Sequence, residues 1–119
     1  MKDTSVKKVQ ARTSPRGALG QKYLASGKRV SLRLWEELET EEEVDRDSCR
    51  EYETVGYCLA GSATLHLEGQ VVKLERGDSW VVPAGAHHRY SELQGFSAVE
   101  ATAPPAQVHG RDEGAAGAD

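Results

Sequence analysis

Long apolar runs are missing from this sequence. No stretch approaches the roughly 20 residues that a bilayer-spanning helix needs, so a membrane is not an expected partner. The opening MKDTSVKKVQARTSPRG carries basic residues with no apolar segment behind them. It does not read as a secretory leader, and the expected compartment is the cytoplasm. Basic side chains are outnumbered 15 to 19, for a net charge of −4, and they form no stripe. A phosphate backbone calls for such a stripe, so nucleic acid is not an expected partner. There are only two cysteines, Cys49 and Cys58, in no CxxC arrangement. In a cytoplasmic chain they read as free thiols. A helical period is also absent, and no helix is expected.

What remains is one domain's worth of chain. At 119 residues, 38% hydrophobic and 29% charged, it suits a soluble fold with one modest core. Val30, Leu32 and Leu34 alternate with Ser31, Arg33 and Trp35, the period-2 signature of a half-buried strand. An acidic loop follows, where Glu36, Glu37, Glu39, Glu41, Glu42 and Glu43 crowd together. Short strands then recur between turns: Val55–Ala60, Ala63–Glu68, Val71–Leu74, Ser79–Val82, His87–Tyr90 and Phe96–Thr102. Glu68-Gly69 and Arg76-Gly77 mark two of the turns, and Pro104-Pro105 ends the last strand. This rhythm predicts an all-β sandwich or barrel. The expected organisation is a partly flexible N-terminal arm over residues 1–27, a barrel over 28–103 and a largely flexible tail over 104–119. Disorder is expected from about Arg111, where the sequence is rich in glycine, alanine and charge.

One segment is more specific. Gly77-Asp78-Ser79-Trp80-Val81-Val82-Pro83-Ala84-Gly85-Ala86-His87-His88 places two glycines, a proline and a histidine at set offsets. Gly77 suits a turn that needs positive φ. Pro83 suits the second position of a tight turn and Gly85 its fourth. His88 then re-enters the sheet, with Tyr90 on its face and His87 and Arg89 on the other. The segment resembles the second signature of the cupin family. The first signature is degenerate here. Its closing glycine fits Gly61, but its acidic place falls on Thr54, with Glu53 one position away. Its two histidine places fall on Ser48 and Arg50, or on Asp47 and Cys49.

The resemblance implies a double-stranded β-helix, the jelly-roll barrel of cupins, with a pocket inside one open end. His88 would be a metal ligand there, or a base touching a bound molecule. Otherwise it is a buried histidine bonded to a neighbour. Arg50, in a histidine place, would put a guanidinium at the mouth, where it suits carboxylate or phosphate. Alternatively it pairs with Glu51 or Glu92. Cys58 shares a small-residue face with Gly56 and Ala60, which leaves volume for a ligand or lets a second sheet approach closely. The expected ligand pocket is His88, Tyr90, Arg50, Glu53 and Cys58, holding a small organic molecule, an anion among the options, with no cofactor required.

A second expectation is a metal-dependent dioxygenase or isomerase. A catalytic metal needs about three protein ligands, and His88, Glu53 and Cys49 would supply them if the strand bulges near Tyr52. Asp47, His87 and His109 complete the donor pool. The metal would be divalent iron, copper, zinc or manganese, with manganese disfavoured by the thiolate. A third expectation is a structural or regulatory dimer with a filled barrel. The resemblance also implies a homodimer, joined through an edge strand or an exchanged N-terminal strand. His66 is expected in solvent, and Trp35, Trp80, Tyr57 and Phe96 in the core or at a subunit contact.

Overall fold

The computed structural model of the protein describes residues 7–17, 19–39 and 48–107. Six strands follow one another: β1 (Lys22–Ser26), β2 (Ser31–Leu38), β3 (Glu53–Leu67), β4 (Gln70–Glu75), β5 (Ser79–Val82) and β6 (His88–Ala103). Among the described residues, helix is confined to one 3-10 turn at Ala11–Thr13. The strands hydrogen-bond in the order β1-β2-β6-β3-β4, with β5 also on β3, and every pairing is antiparallel.

Two long strands turn this ladder into a two-layered barrel. β3 runs 15 residues and β6 runs 16, and they pair with each other from end to end. The first half of β3 lies between β6 and β5, and its second half between β6 and β4. The ladder passes from one layer to the other where its register shifts, between Cys58 and Thr64. Gly61 and Gly95 sit at this corner with φ of 72° and 55°. A Cβ on Gly61 would run into the backbone carbonyls of Gln94 and Gly95. The glycine that closes the degenerate first signature is therefore required by the fold itself, whatever became of the histidines before it.

Turn chemistry fixes the other connections. Glu68 and Gly69 both have positive φ, 46° and 84°, as a two-residue hairpin turn between β3 and β4 requires. Pro83 opens its turn rather than taking the second place, since the Ala86 amide donates to the Pro83 carbonyl at 3.1 Å. Gly85 is thus third, with φ of 82°, where a type II turn needs the left-handed region. The acidic segment is less of a loop than its charge suggests. β2 continues through Glu36 and Glu37 to Leu38, and Glu36 accepts Lys22 Nζ at 3.0 Å. β1 lies within the stretch read as an arm and forms the edge beside β2. Beyond β6, the first residues of the tail are docked: Ala106 N–H donates to Thr102 Oγ1 at 2.9 Å. Residues 108–119, which include His109 and the stretch from about Arg111 where disorder is expected, lie outside the described residues, as does Asp47.

The two layers close on Cys58, Ala63, Leu65, Leu74, Trp80, Phe96 and their neighbours. In the larger layer, however, the alternation has the opposite phase to simple hydrophobic burial. On β2, Ser31 and Arg33 are buried at 3% and 8% exposure, whereas Val30 and Leu32 are exposed. On β3, Thr54, Gly56 and Cys58 face inward, and Val55, Tyr57 and Leu59 face out. The inner wall of this layer is polar and its outer wall is apolar. The first fact has functional consequences.

Candidate functional site

The inner wall is built in rungs across four strands. Arg33 on β2 is paired with Glu100 on β6, Glu100 with Gly56 on β3, and Gly56 with Trp80 on β5. Gly56 contributes no side chain to this rung. The Trp80 ring fills the gap so closely that a Cβ at position 56 would meet it. The next rung runs Ser31, Thr102, Thr54 and Val82, and Ser31 Oγ lies 3.0 Å from Thr102 Oγ1.

Glu100 is the centre of this wall. Buried at 3% exposure, its Oε1 accepts Arg33 Nε and Trp35 Nε1, each at 2.8 Å. Its Oε2 accepts the Tyr90 hydroxyl at 3.2 Å, and that hydroxyl accepts Trp80 Nε1 at 3.0 Å. Arg33 also donates to the Tyr52 hydroxyl at 3.0 Å, and its guanidinium lies 5.4 Å from the Trp35 and Tyr52 ring centres. A buried carboxylate is tolerated when it is paired and its lone pairs are met, and here both conditions hold. Burial, aided by the Glu100 charge, holds the Tyr90 phenol well above its ordinary range. Tyr90 is therefore a neutral donor at the base of the site.

His88 opens β6 above this network, its ring edge-on to Tyr90 at 6.0 Å. Ser48 pairs with His88 through both backbone hydrogen bonds, 2.7 and 2.9 Å. The Gly85 amide donates to the Arg50 carbonyl at 2.8 Å. The remnant of the first signature is thus strapped to the intact second one. Burial pushes the His88 pKa below its usual 6.5; the Ala86 carbonyl and Glu100 oppose that, while Arg50 and Arg33 add to it. The imidazole is neutral at pH 7. Its Nδ1 lies 3.2 Å from the Ala86 carbonyl, which can only accept, so Nδ1 carries the proton. Nε2 keeps its lone pair, and among the described residues it has no hydrogen-bond partner.

The expected site residues separate into two groups. His88, Tyr90 and Arg50 belong to one end of the barrel. Arg50 is half-buried and close enough for its charge to bear on His88, and it makes no ion pair with a described carboxylate, Glu51 and Glu92 included. Glu53 is exposed on the outer face, because Tyr52 and Thr54 take the inward places on either side of it. The bulge that would have turned it inward is absent: the β3–β6 register is continuous from Glu53 to Cys58. Cys58 is fully buried in the core, and its Sγ lies 3.3 Å from the Ala60 carbonyl. Burial raises its thiol pKa, and the small-residue face it shares is filled by Trp80 rather than open to a ligand. Cys49 Sγ is held 3.3 Å from the Gly85 carbonyl.

The donors among the described residues do not fit a catalytic metal. Among the described residues, no three His, Cys, Asp or Glu side chains converge. The histidine places, Ser48 and Arg50 or Asp47 and Cys49, hold no histidine, the acidic place holds Thr54, and the Glu100 carboxylate is engaged by three donors. His66, expected in solvent, is half-buried on the outer face of the smaller layer, with Nε2 2.8 Å from Ser91 Oγ. It lines an open groove of about 710 Å³ with Lys73, Arg89 and Glu92, away from His88.

Because the His88 imidazole favours its neutral form when folded, stability should be full above pH 6.5 and decline as pH falls below that value. A His88→Gln variant should lose this part of the acid sensitivity. Urea unfolding between pH 5 and 8 checks it, and equal slopes for both proteins would contradict the burial described.

A jelly roll with this signature, turn and inward histidine defines a cupin. The cupin domain pattern matches residues 34–99, more than half of the chain's 119. The chain belongs to that family. Among solved structures it is similar to KdgF from Halomonas sp., with 16% identity, 84% of this chain and 94% of that chain covered, and a TM-score of 0.71. It is also similar to an RmlC-like cupin from Shewanella frigidimarina, with 15% identity, coverage of 84% and 92%, and a TM-score of 0.67. A Streptomyces PAC13 variant solved with uridine gives 15% identity, coverage of 85% and 84%, and a TM-score of 0.67. At these identities the likeness is one of fold. No curated protein matches the chain.

Proposed function

We propose that this cupin binds a small organic anion at the open end of the barrel, between His88 and Arg50. The observation that carries the reading is the division of polar groups there. Arg33, Trp35, Tyr90 and Trp80 are engaged with Glu100 or with one another. His88 Nε2 and the Arg50 guanidinium remain, an acceptor and a cation at one mouth. A hydroxycarboxylate matches them: its carboxylate accepts from Arg50 and its hydroxyl donates to Nε2. Tyr90 forms the floor beneath. The ligand meets the mouth rather than the depth of the barrel, because Trp80 fills the space above Gly56.

Calorimetry against a panel of hydroxycarboxylates, with chelator present, tests this. One member should bind at one per chain. Arg50→Ala should weaken it about 10–100-fold, the worth of one charge-assisted hydrogen bond. Binding unchanged in both Arg50→Ala and His88→Gln would end the proposal. A second reading, a structural protein with a filled barrel, draws on the same Trp80–Tyr90–Glu100–Arg33 network, and no panel member binding would favour it.

A further inference from the structure

The polar groove on the outer face of the smaller layer lies apart from His88 and opens over about 710 Å³. Its floor is Thr64 and Ser91, cross-strand partners on β3 and β6 that are only 6% and 8% exposed. Lys73 on β4 stands beside Thr64 from the other side. Next to Ser91 the ladder bulges. Between the pairs Ser62–Gln94 and Thr64–Ser91, β6 sets two residues, Glu92 and Leu93, against one on β3. Neighbours on a regular strand point to opposite faces, but a bulge re-aims them. Here Glu92 turns onto the face of Ser91, where its Oε1 accepts the Thr64 hydroxyl at 2.6 Å. Its φ is 53°, left-handed backbone that glycine would adopt without strain. A glutamate kept in a glycine's conformation points to a use for the carboxylate.

The hydrogen bonds within the groove leave a definite set of groups for a ligand. His66 Nδ1 lies 3.4 Å from the Arg89 guanidinium, which can only donate, so Nε2 carries the proton. Nε2 therefore donates to Ser91 Oγ at 2.8 Å, and Ser91 is not an activated nucleophile. The Ser91 O–H is left to donate, with no acceptor among the described residues. Among the same residues Glu92 Oε2 meets no donor and Lys73 makes no ion pair. One carboxylate oxygen, one hydroxyl and one ammonium line a common space, with Arg89 a second cation at its side.

We infer that this groove binds a small zwitterion of the amino-acid class, independently of the His88–Arg50 site. The ligand's ammonium meets Glu92, and its carboxylate meets Lys73 and the Ser91 hydroxyl. Charge selects this class. A simple anion would face the Glu92 carboxylate, and a simple cation would face Lys73 and Arg89. Lys73 and Glu92 stand on strands that flank β3, about 10 Å apart. A ligand with both charges spans that gap.

NMR titration of the nitrogen-15-labelled chain with each common α-amino acid, up to about 10 mM at pH 7, tests the inference. At least one should saturate at one per chain and move the amide signals of Thr64, Lys73 and Glu92. Its analogues lacking the carboxylate or the ammonium should bind at least about 5-fold more weakly. Glu92→Gln, which keeps an acceptor for Thr64, and Lys73→Met should each weaken binding about 5–10-fold, the worth of one charged contact partly open to water. Arg50→Ala should change nothing, which separates this site from the barrel mouth. No binding by any amino acid would overturn the inference, and so would a singly charged analogue that binds as tightly. Binding that ignores both groove substitutions, or that Arg50→Ala removes, would place the ligand elsewhere and overturn it too. If one groove variant fails to fold, the other decides.

Discussion

Replacing Glu100 with glutamine is expected to cost about 3–5 kcal/mol of folding stability, the usual penalty for breaking one side of a buried ion pair. The amide keeps the shape, but its single oxygen can accept at only one of the two places, so either Trp35 or Tyr90 also loses its acceptor. It leaves the Arg33 guanidinium, whose side chain is only 10% exposed, without its carboxylate. Dispersing that charge through the Tyr52 hydroxyl and the two flanking rings cannot replace a hydrogen bond of 2.8 Å to an ionised group. Removing both charges should behave differently. Arg33→Met with Glu100→Leu should recover only part of the loss, because the two desolvated charges disappear together while the Trp35 N–H and the Tyr90 O–H lose their acceptor. Urea unfolding of Arg33→Met, Glu100→Leu and the double variant gives the cycle, with Glu100→Gln measured beside them. A loss under 1 kcal/mol for Glu100→Gln would mean that water reaches the pair and that the inner wall is not closed.

Gly61→Ala carries the second large effect, expected at about 2–3 kcal/mol. The left-handed backbone at φ of 72° costs a non-glycine residue about 1–2 kcal/mol. The added methyl also meets the carbonyls of Gln94 and Gly95, which are backbone atoms with no rotamer to change. β3 or β6 must move at the very point where both cross between layers. Gly69→Ala is the natural control: its φ is 84°, but nothing lies within 4 Å of the added Cβ. It should therefore lose the conformational part alone. Thermal unfolding that ranks Gly69→Ala as the worse variant would show that the corner is not a packing constraint.

The two variants mark what could and could not be read in the sequence. Gly61, Gly77, Pro83, Gly85 and His88 were legible because turn chemistry is local: positive φ and fixed offsets leave a trace within a few residues. Counting back from Gly61 put Thr54 at the acidic position, yet Glu53 was still expected in the pocket; the ladder, continuous from Glu53 to Cys58, leaves it on the outer face. The Glu100 centre was missed. Charged residues default to the surface, and a strand's alternation does not say which of its two faces is inside. A signal was present nonetheless. Glu100 is in phase with Phe96, Ala98 and Thr102, and Arg33 with Ser31 and Trp35. Two opposite charges, each in phase with a core-type aromatic, suggest a buried pair. Their partnership across 67 positions of sequence appears only once the ladder is known. The outward apolar wall was hidden by the same ambiguity, since Val55, Tyr57 and Leu59 look like a core in any single strand.

The central question is whether His88 joins Arg50 in an organic-anion site above a self-neutralised wall or serves as one ligand of a metal centre. Nitrogen-15 NMR of the His88 imidazole, recorded with chelator and then with each divalent metal, addresses this directly. A hydroxycarboxylate is expected to shift the Nε2 signal to saturation at one per chain while chelator is present, and Arg50→Ala to move saturation to about 10–100-fold higher ligand concentration. A silent Nε2 signal towards every carboxylate, with saturation by one equivalent of iron, copper, zinc or manganese, would contradict it.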